Sequence, residues 1–121
     1  MHEIKTFEDY EIAVKQGILT DGGNCPVTPL LLMLQGKWKT QILYELIIHD
    51  EVRFNELKKA LPEITNATLT SALRELEESD LIIREQFNEV PPHVEYSLTC
   101  KGSDLAHVFY EMTKWGFKYI S

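Results

Sequence analysis

The sequence has no long apolar run and very little cysteine, and each shortage excludes a class of protein. No stretch approaches the roughly 20 consecutive apolar residues that span a bilayer, so no membrane association is predicted. Two cysteines, Cys25 and Cys100, are too few for a disulfide framework and indicate a reducing cytoplasm. Residues 1–13 lack a basic region followed by an apolar core, so no secretory signal is predicted.

Positive charge is also scarce, with 12 Lys and Arg against 19 Asp and Glu and a net charge of −7. Nonspecific nucleic-acid binding depends on cations that neutralise phosphates, so we expect it to be weak here. The total does not exclude a specific DNA reader, because the local distribution of charge decides the field at a contact surface. The 121 residues are otherwise ordinary in composition and are long enough for one domain.

No metal or cofactor site is predicted. The histidines are scattered, with no His-x-x-x-His pair, and there is no Cys-x-x-Cys motif. Gly22-Gly23 is not followed by Lys-Ser or Lys-Thr, so it is no phosphate-binding loop. A Cys–His nucleophile pair need not be adjacent in sequence and stays open as an alternative, although nothing supports it. We therefore do not expect an enzyme.

Three helices are predicted in the first 50 residues. The first spans Phe7–Lys15 and begins with a capping box, Thr6-x-x-Asp9. A turn-rich stretch at 20–24 separates it from a helix over Val27–Gln35, with Pro26 in its first turn and Gly36 at its end. The third covers Lys37–Ile48. Its apolar residues recur on one face at the helical period; they are Trp38, Ile42, Leu43 and Leu46.

Residues 52–98 predict a helix pair followed by a hairpin. An extended segment, 52–54, precedes a helix over Glu56–Leu61 capped by Asn55. After a turn, Thr65 caps a second helix that runs to about Ser79, with Leu69, Leu73 and Leu76 facing inward. Strands follow at Leu81–Phe87 and through Val94, Tyr96 and Leu98. The fold class predicted is therefore mainly α with a small β-hairpin, a winged helix-turn-helix.

The second helix of this pair is the expected DNA reader. Its outward face and N-terminal end carry short polar groups and one arginine: Thr65, Asn66, Ala67, Thr70, Ser71 and Arg74. Arg74 can bind guanine in bidentate fashion or a phosphate, and Asn66 can pair with adenine. The backbone N–H groups at the helix start add a phosphate site. Such a face is merely solvated on most amphipathic helices, but the following hairpin favours DNA binding.

Further cations are predicted to contact phosphate around this helix. They are Lys37, Arg53, Arg84 in the first strand, and His93 just beyond the hairpin tip, where Pro91-Pro92 stiffens the turn. Residues 53–93 nevertheless contain five basic and eight acidic side chains, a net charge of −3. Binding must therefore depend on a few well-placed groups.

The last predicted helix, capped by Thr99 and running to about Ile120, is too apolar for a surface helix. A surface helix needs only one apolar stripe, whereas apolar residues nearly encircle this one towards its end. They are Leu105, Val108, Phe109, Met112, Trp115, Phe117 and Tyr119. We interpret the surplus as part of a homodimer interface.

Several motifs in the same order resemble the HxlR-type transcription regulators, over about Cys25 to Trp115. They are Cys25-Pro26-Val27, Gly36-Lys37-Trp38, Arg53-Phe54-Asn55-Glu56-Leu57, Leu73-Arg74-Glu75-Leu76-Glu77 and Val90-Pro91-Pro92-His93-Val94-Glu95-Tyr96-Ser97-Leu98-Thr99-x-x-Gly102. The resemblance implies a bacterial cytoplasmic homodimer, related in fold to the MarR type, that binds a roughly palindromic double-stranded DNA operator. Residues 1–24 would then be an N-terminal helix and linker acting as a dimerisation arm. Residues 25–121 would be the winged domain with its C-terminal dimerisation helix.

Two positions depart from the family pattern. Ala67 stands where the family often has a long polar residue, and His93 stands where an arginine usually follows the two prolines. Both changes remove positive charge from the expected DNA face. A winged helix used only for protein interaction is therefore the rival hypothesis.

Cys25 is the expected entry point for a small-molecule or oxidant effector. A cysteine at a helix N-terminus is favoured as thiolate, which makes it reactive. Some members of the family resemble redox or electrophile sensors with a cysteine at this position. The alternative is that Cys25 is only a small residue at a helix end.

Overall fold

The structure is a computed structural model that describes residues 4–17, 19 and 25–120. The chain divides into two compact units, residues 1–35 and residues 36–121. In the first unit the described helices are α1 (Phe7–Lys15) and α2 (Thr28–Met33). The second unit contains, in order, α3 (Lys39–Ile48), β1 (Val52–Arg53), α4 (Phe54–Ala60), α5 (Asn66–Glu78), β2 (Ile82–Phe87), β3 (His93–Leu98) and α6 (Cys100–Tyr119). Within the described ranges, no helix is long and apolar enough to cross a membrane.

Helix α1 has the predicted bounds and the predicted capping box. The Thr6 hydroxyl accepts a hydrogen bond from the Asp9 N–H at 3.1 Å. The Asp9 carboxylate in turn accepts from the Thr6 N–H at 3.3 Å. These reciprocal bonds satisfy two backbone donors that a helix start otherwise leaves without a partner.

Helices α2 and α3 are both shorter than predicted. Pro29, not Pro26, occupies the first turn of α2, which ends at Met33 instead of Gln35. Gly36 has a φ of +110°, a left-handed conformation that favours glycine, so the chain turns here and α3 begins only at Lys39. The turn-rich stretch predicted at 20–24 lies outside the described residues.

The predicted hairpin is present and has a third strand beside it. The antiparallel sheet has the order β1-β3-β2, with Val52 opposite Tyr96 and Arg53 opposite Glu95. Val52 is 4% exposed, and its burial against the helices explains why so short a segment stays in the sheet. The fold is mainly α with this small sheet, as predicted.

Helix α4 starts at Phe54, two residues before the predicted start, and Asn55 is not its cap. Arg53 holds the N-cap position, and its backbone N–H donates to the Glu56 carboxylate at 2.8 Å. A glutamate at the third helical position that reaches back in this way is half of a capping box. At the other end, the Lys58 ammonium donates to the Ile64 carbonyl and thereby fixes the turn between α4 and α5.

The core of the second unit is aliphatic and draws on every element except the hairpin tip. Helix α5 contributes most to it, with Leu69, Ala72, Leu73 and Leu76 all buried. Each fully buried aliphatic side chain stabilises the fold by about 1.5–3 kcal/mol. The other buried members are Leu43, Ile42, Leu46, Val52, Leu57, Leu61, Ile64, Leu81, Ile82, Tyr96 and Leu105.

The end of α5 is joined to the start of α6 by a close backbone contact. Thr99 donates from its N–H to the Leu81 carbonyl at 3.1 Å and from its hydroxyl to the Asp80 carbonyl at 2.6 Å. The Lys101 ammonium donates to the Ser79 carbonyl at 2.8 Å. Gly102 lies so close that a Cβ there would be 2.1 Å from the Leu81 oxygen. We call this contact the α5–α6 junction.

Gly102→Ala should therefore destabilise the fold. The added methyl group cannot fit without moving the backbone of Leu81, and overpacking of this kind costs roughly 1–3 kcal/mol. Denaturant unfolding followed by circular dichroism measures the change. The matched control is Gly116→Ala on the same helix, where nothing lies within 4 Å and alanine gains up to about 1 kcal/mol of helix propensity. Equal stabilities of the two variants would contradict the junction's role.

Candidate nucleic-acid interface

The N-terminal end of α5 is built as the sequence predicts. The Thr65 hydroxyl caps the helix by accepting from the Thr68 N–H at 3.1 Å, and the two threonine hydroxyls are 2.8 Å apart. No acidic residue lies in the first turn. The positive end of the helix dipole and the first N–H groups are therefore compatible with a phosphate.

The outward face of α5 is exposed along its whole length. Burial of Leu69, Leu73 and Leu76 on one side turns the other side to solvent. The predicted set on that side is Asn66, Ala67, Thr70, Ser71 and Arg74, all exposed. Among the described residues, Arg74 has no carboxylate partner, so its five N–H donors are available to an incoming acceptor.

Two lysines before and within α3 pair with carboxylates near the helix pair. Lys37 lies 3.8 Å from Glu63 in an exposed pair, and its ammonium stands over the Trp38 ring at 4.7 Å. Lys39 lies 3.1 Å from Glu75 of α5, and its side chain is only 15% exposed. Lys39 therefore ties α3 to α5. Its partner lies 36 residues away, which no local pattern reveals.

The two β-strands 82–87 and 93–98 and the turn between them form the wing (residues 82–98). Cross-strand partners share a face of a sheet, and Arg84 lies opposite the buried Tyr96. Arg84 is therefore on the sheet face that continues from the core, and its side chain is exposed. At the tip, Val90 is fully exposed.

The opposite face of the sheet carries Arg53 and His93, which were also predicted to contact phosphate. Both lie among carboxylates on this face. This outer face consists of Arg53, Ile83, Glu85, Phe87, His93, Glu95 and Ser97. The sheet thus separates the predicted cations, with Arg84 on one face and Arg53 and His93 on the other. His93 is bonded within the protein, because its Nε2 lies 2.7 Å from the Glu95 carboxylate and its ring stacks on Phe87.

Carboxylates interact strongly on this outer face. The pKa of Glu51, next to β1, is raised, first by its hydrogen bond with Glu95 and further by the negative charges around it. The pKa of Glu95 is lowered, chiefly because His93 hydrogen-bonds to it. When Glu51 takes up a proton it donates a hydrogen bond to the Glu95 carboxylate, which relieves part of the repulsion. The sequence showed the acidic excess but not this pairing, which depends on strand register.

Cys25 is exposed in the turn that leads into α2. Its pKa is lowered, first by the hydrogen bond from the Val27 N–H and then by bonds from the Thr28 hydroxyl and N–H. These donors stabilise the negative thiolate. Cys25 is not at a helix N-terminus as predicted, because the helix begins three residues later at Thr28. The donors to its sulfur are the N–H groups of Val27 and Thr28 and the Thr28 hydroxyl.

The helix pair, the buried stripe of α5 and the hairpin together define a winged helix-turn-helix protein. The HxlR-like helix-turn-helix family model matches residues 33–121. The chain therefore belongs to this family of transcriptional regulators.

Similar proteins include the HTH-type transcriptional regulator YdeP of Bacillus subtilis, which is 48% identical over 99 residues, 82% of this chain and 77% of YdeP. Among solved structures, the redox regulator HypR in its oxidised form is 41% identical with a TM-score of 0.71, covering 80% of this chain and 99% of HypR. The reduced form of the transcriptional regulator YodB from B. subtilis is 31% identical with a TM-score of 0.73, covering 81% of this chain and 96% of YodB.

Proposed function

We propose that the protein regulates transcription by binding a specific, roughly palindromic DNA operator as a homodimer. The observation that carries this proposal is the exposed polar face of α5, where Asn66 and Arg74 have no competing partner among the described side chains, while Thr65 serves as the helix cap. A recognition helix of this kind enters the major groove with its N-terminal residues against base edges. Arg84 lies on the sheet face that continues from the core. Of the cations in the wing, it is the best placed to contact the neighbouring phosphates.

The homodimer is proposed because α6 exposes many apolar side chains from Val108 onward. The aromatic residues Trp115 and Phe117 are 59% and 74% exposed. Monomeric proteins seldom leave so large an apolar patch in water. The other exposed apolar residues of the helix are Val108, Tyr110, Met112, Tyr119 and Ile120. A second copy that packs along this helix would bury them and place two recognition helices side by side.

The N-terminal arm is proposed to add to the same assembly. Helix α1 exposes apolar side chains that an isolated helix has no reason to carry, namely Phe7, Ile12 and Val14. A two-fold interface presents the same patch from both copies, so an apolar arm is used twice. The proposal follows the predicted role of residues 1–24, of which positions 1–3, 18 and 20–24 lie outside the described residues.

The Arg74→Ala variant tests whether α5 recognises DNA bases. If Arg74 binds a guanine edge, the variant should lose roughly 1–3 kcal/mol on the selected operator and accept other bases at one position. Fluorescence anisotropy with a duplex selected from random DNA, and with a scrambled duplex, measures both effects at low and moderate salt.

The matched control is Glu77→Ala, another exposed side chain on α5, which should keep the base preference. An equal loss on both duplexes would assign Arg74 to a phosphate contact. No enrichment of any sequence by the wild-type protein would contradict DNA binding and favour a protein-interaction module.

We further propose that Cys25 makes operator binding sensitive to oxidants. The similar protein HypR is named as a redox regulator. The lowered pKa of Cys25 increases the fraction of its thiolate form, which is the form that reacts with oxidants. Hydrogen peroxide would oxidise this thiolate to sulfenic acid and be reduced to water in the same step. The new group would then alter the turn before α2.

Cys25→Ser should abolish the effect of peroxide on operator affinity, whereas Cys100→Ser should leave it unchanged. Because the pKa of Cys25 is lowered, its alkylation by iodoacetamide at neutral pH should be faster than that of Cys100. As the pH is lowered, the alkylation rate of Cys25 should fall at a more acidic pH than that of an ordinary thiol. Gel shifts with and without peroxide, and mass spectrometry of the alkylated protein, provide the measurements. A peroxide response retained by Cys25→Ser would rule out this sensor.

A further inference from the structure

Near the tip of the wing, the imidazole of His93 contacts Phe87 on β2, Glu89 in the turn and Glu95 on its own strand β3. His93 pairs with Phe87 across the hairpin, and the two rings stack with centroids 4.8 Å apart and planes 10° apart. Its Nε2 is 2.7 Å from a Glu95 oxygen, and its Nδ1 is 3.9 Å from a Glu89 oxygen in the turn. The side chain is only 13% exposed. Each ring nitrogen thus faces a different carboxylate.

The protonation state of this ring decides whether both contacts are attractive. A neutral imidazole has one N–H, and an ionised carboxylate only accepts hydrogen bonds. The short contact with Glu95 therefore needs the hydrogen on Nε2, which leaves the Nδ1 lone pair facing the negative Glu89. A second proton on Nδ1 turns that contact into an ion pair and places a cation over the Phe87 ring.

The surroundings of the ring are mostly negative. The carboxylates that face the ring directly are Glu89 in the turn and Glu95 on β3. One step further out, Glu95 interacts with Glu51 and Arg53, and Glu51 also interacts with Glu85 and Asp50. The charged groups nearest to the ring are thus both carboxylates, which only accept hydrogen bonds when they are ionised.

We propose that His93 is a proton-operated latch that fastens the turn of the wing to strand β3. When the ring takes up a proton, Glu89 and Glu95 are both bound to it and the turn is held against the hairpin. When the ring loses that proton, only the Glu95 contact remains and the turn is released. His93 thus acts as a positioning residue for the wing, and its ring nitrogens are occupied by carboxylates and not by phosphate.

Histidine side chains in general change charge between about pH 5 and 8. The latch holds only while the ring carries its second proton, so its contribution is lost as the pH rises. Glu51 acts in the same direction, since a carboxyl group whose pKa is raised loses its unfavourable charge as the pH falls. Glu95 has a lowered pKa, so it stays ionised and continues to accept from His93 throughout this range.

A consequence for DNA rests on the proposed function. A wing already held in one conformation loses less entropy on binding, so the operator should be bound more tightly at pH 6 than at pH 8. A partly exposed ion pair is worth a modest free energy, which corresponds to a difference of roughly two- to fivefold in affinity.

The test uses the whole protein, first without DNA. NMR should show the backbone amides of Glu89 and Val90 titrating together with the His93 ring in the wild type. In His93→Gln, which can still donate to Glu95 but cannot become charged, that titration should disappear. In Glu89→Gln the ring should still titrate while the turn no longer follows it. His107→Gln, which removes an exposed histidine on α6, is the control and should behave as the wild type.

Operator affinity at pH 6 and pH 8 is then measured for the same four proteins. The wild type and His107→Gln should lose two- to fivefold at the higher pH, and the two wing variants should not. Turn amides that ignore the ring titration, or the same pH dependence in His93→Gln, would overturn the latch. If the amides of the turn follow the ring titration but the protein selects no DNA, the latch is supported and the proposed function is contradicted.

Discussion

The close backbone approach of Gly102 to the Leu81 carbonyl is the constraint on which the proposed DNA-binding geometry depends. It fixes the first turn of α6 against the chain where α5 ends and β2 begins. The helix proposed to read DNA and the helix proposed to form the dimer therefore share one rigid connection. Since half-site spacing follows from the distance between two recognition helices, it is determined in part by this contact.

Electrostatics shape the interface by placement and not by total charge. Several cations near the helix pair already have partners, as Lys39 does with Glu75 and Lys37 with Glu63. The outer face of the sheet is acidic, whereas Arg74 and Arg84 are exposed away from those carboxylates. A protein arranged in this way binds phosphate weakly in general but can present a few donors to one sequence. The net charge of −7 is therefore compatible with specific binding.

Local sequence patterns predicted the starts of α1, α5 and α6 because the causes of these starts lie within one helical turn. The caps Thr6, Thr65 and Thr99 each bond to a residue three positions later, so the chain itself carries the information. The third strand, in contrast, depends on Val52 meeting Tyr96, more than 40 positions away. The contacts of His93 with Phe87, Glu89 and Glu95 likewise depend on the strand register and on the conformation of the turn. Contacts of this kind arise from packing, which the residue pattern does not encode locally.

Hydroxyl-radical footprinting on a duplex selected from random DNA tests the central claim most directly, that two copies of α5 read one operator. Two recognition helices related by two-fold symmetry should protect two equivalent patches separated by about 10–10.5 base pairs or a multiple of it. Substituting the central bases of either patch should abolish protection of that half-site. A single patch without symmetry, or no protection on any selected duplex, would contradict the account.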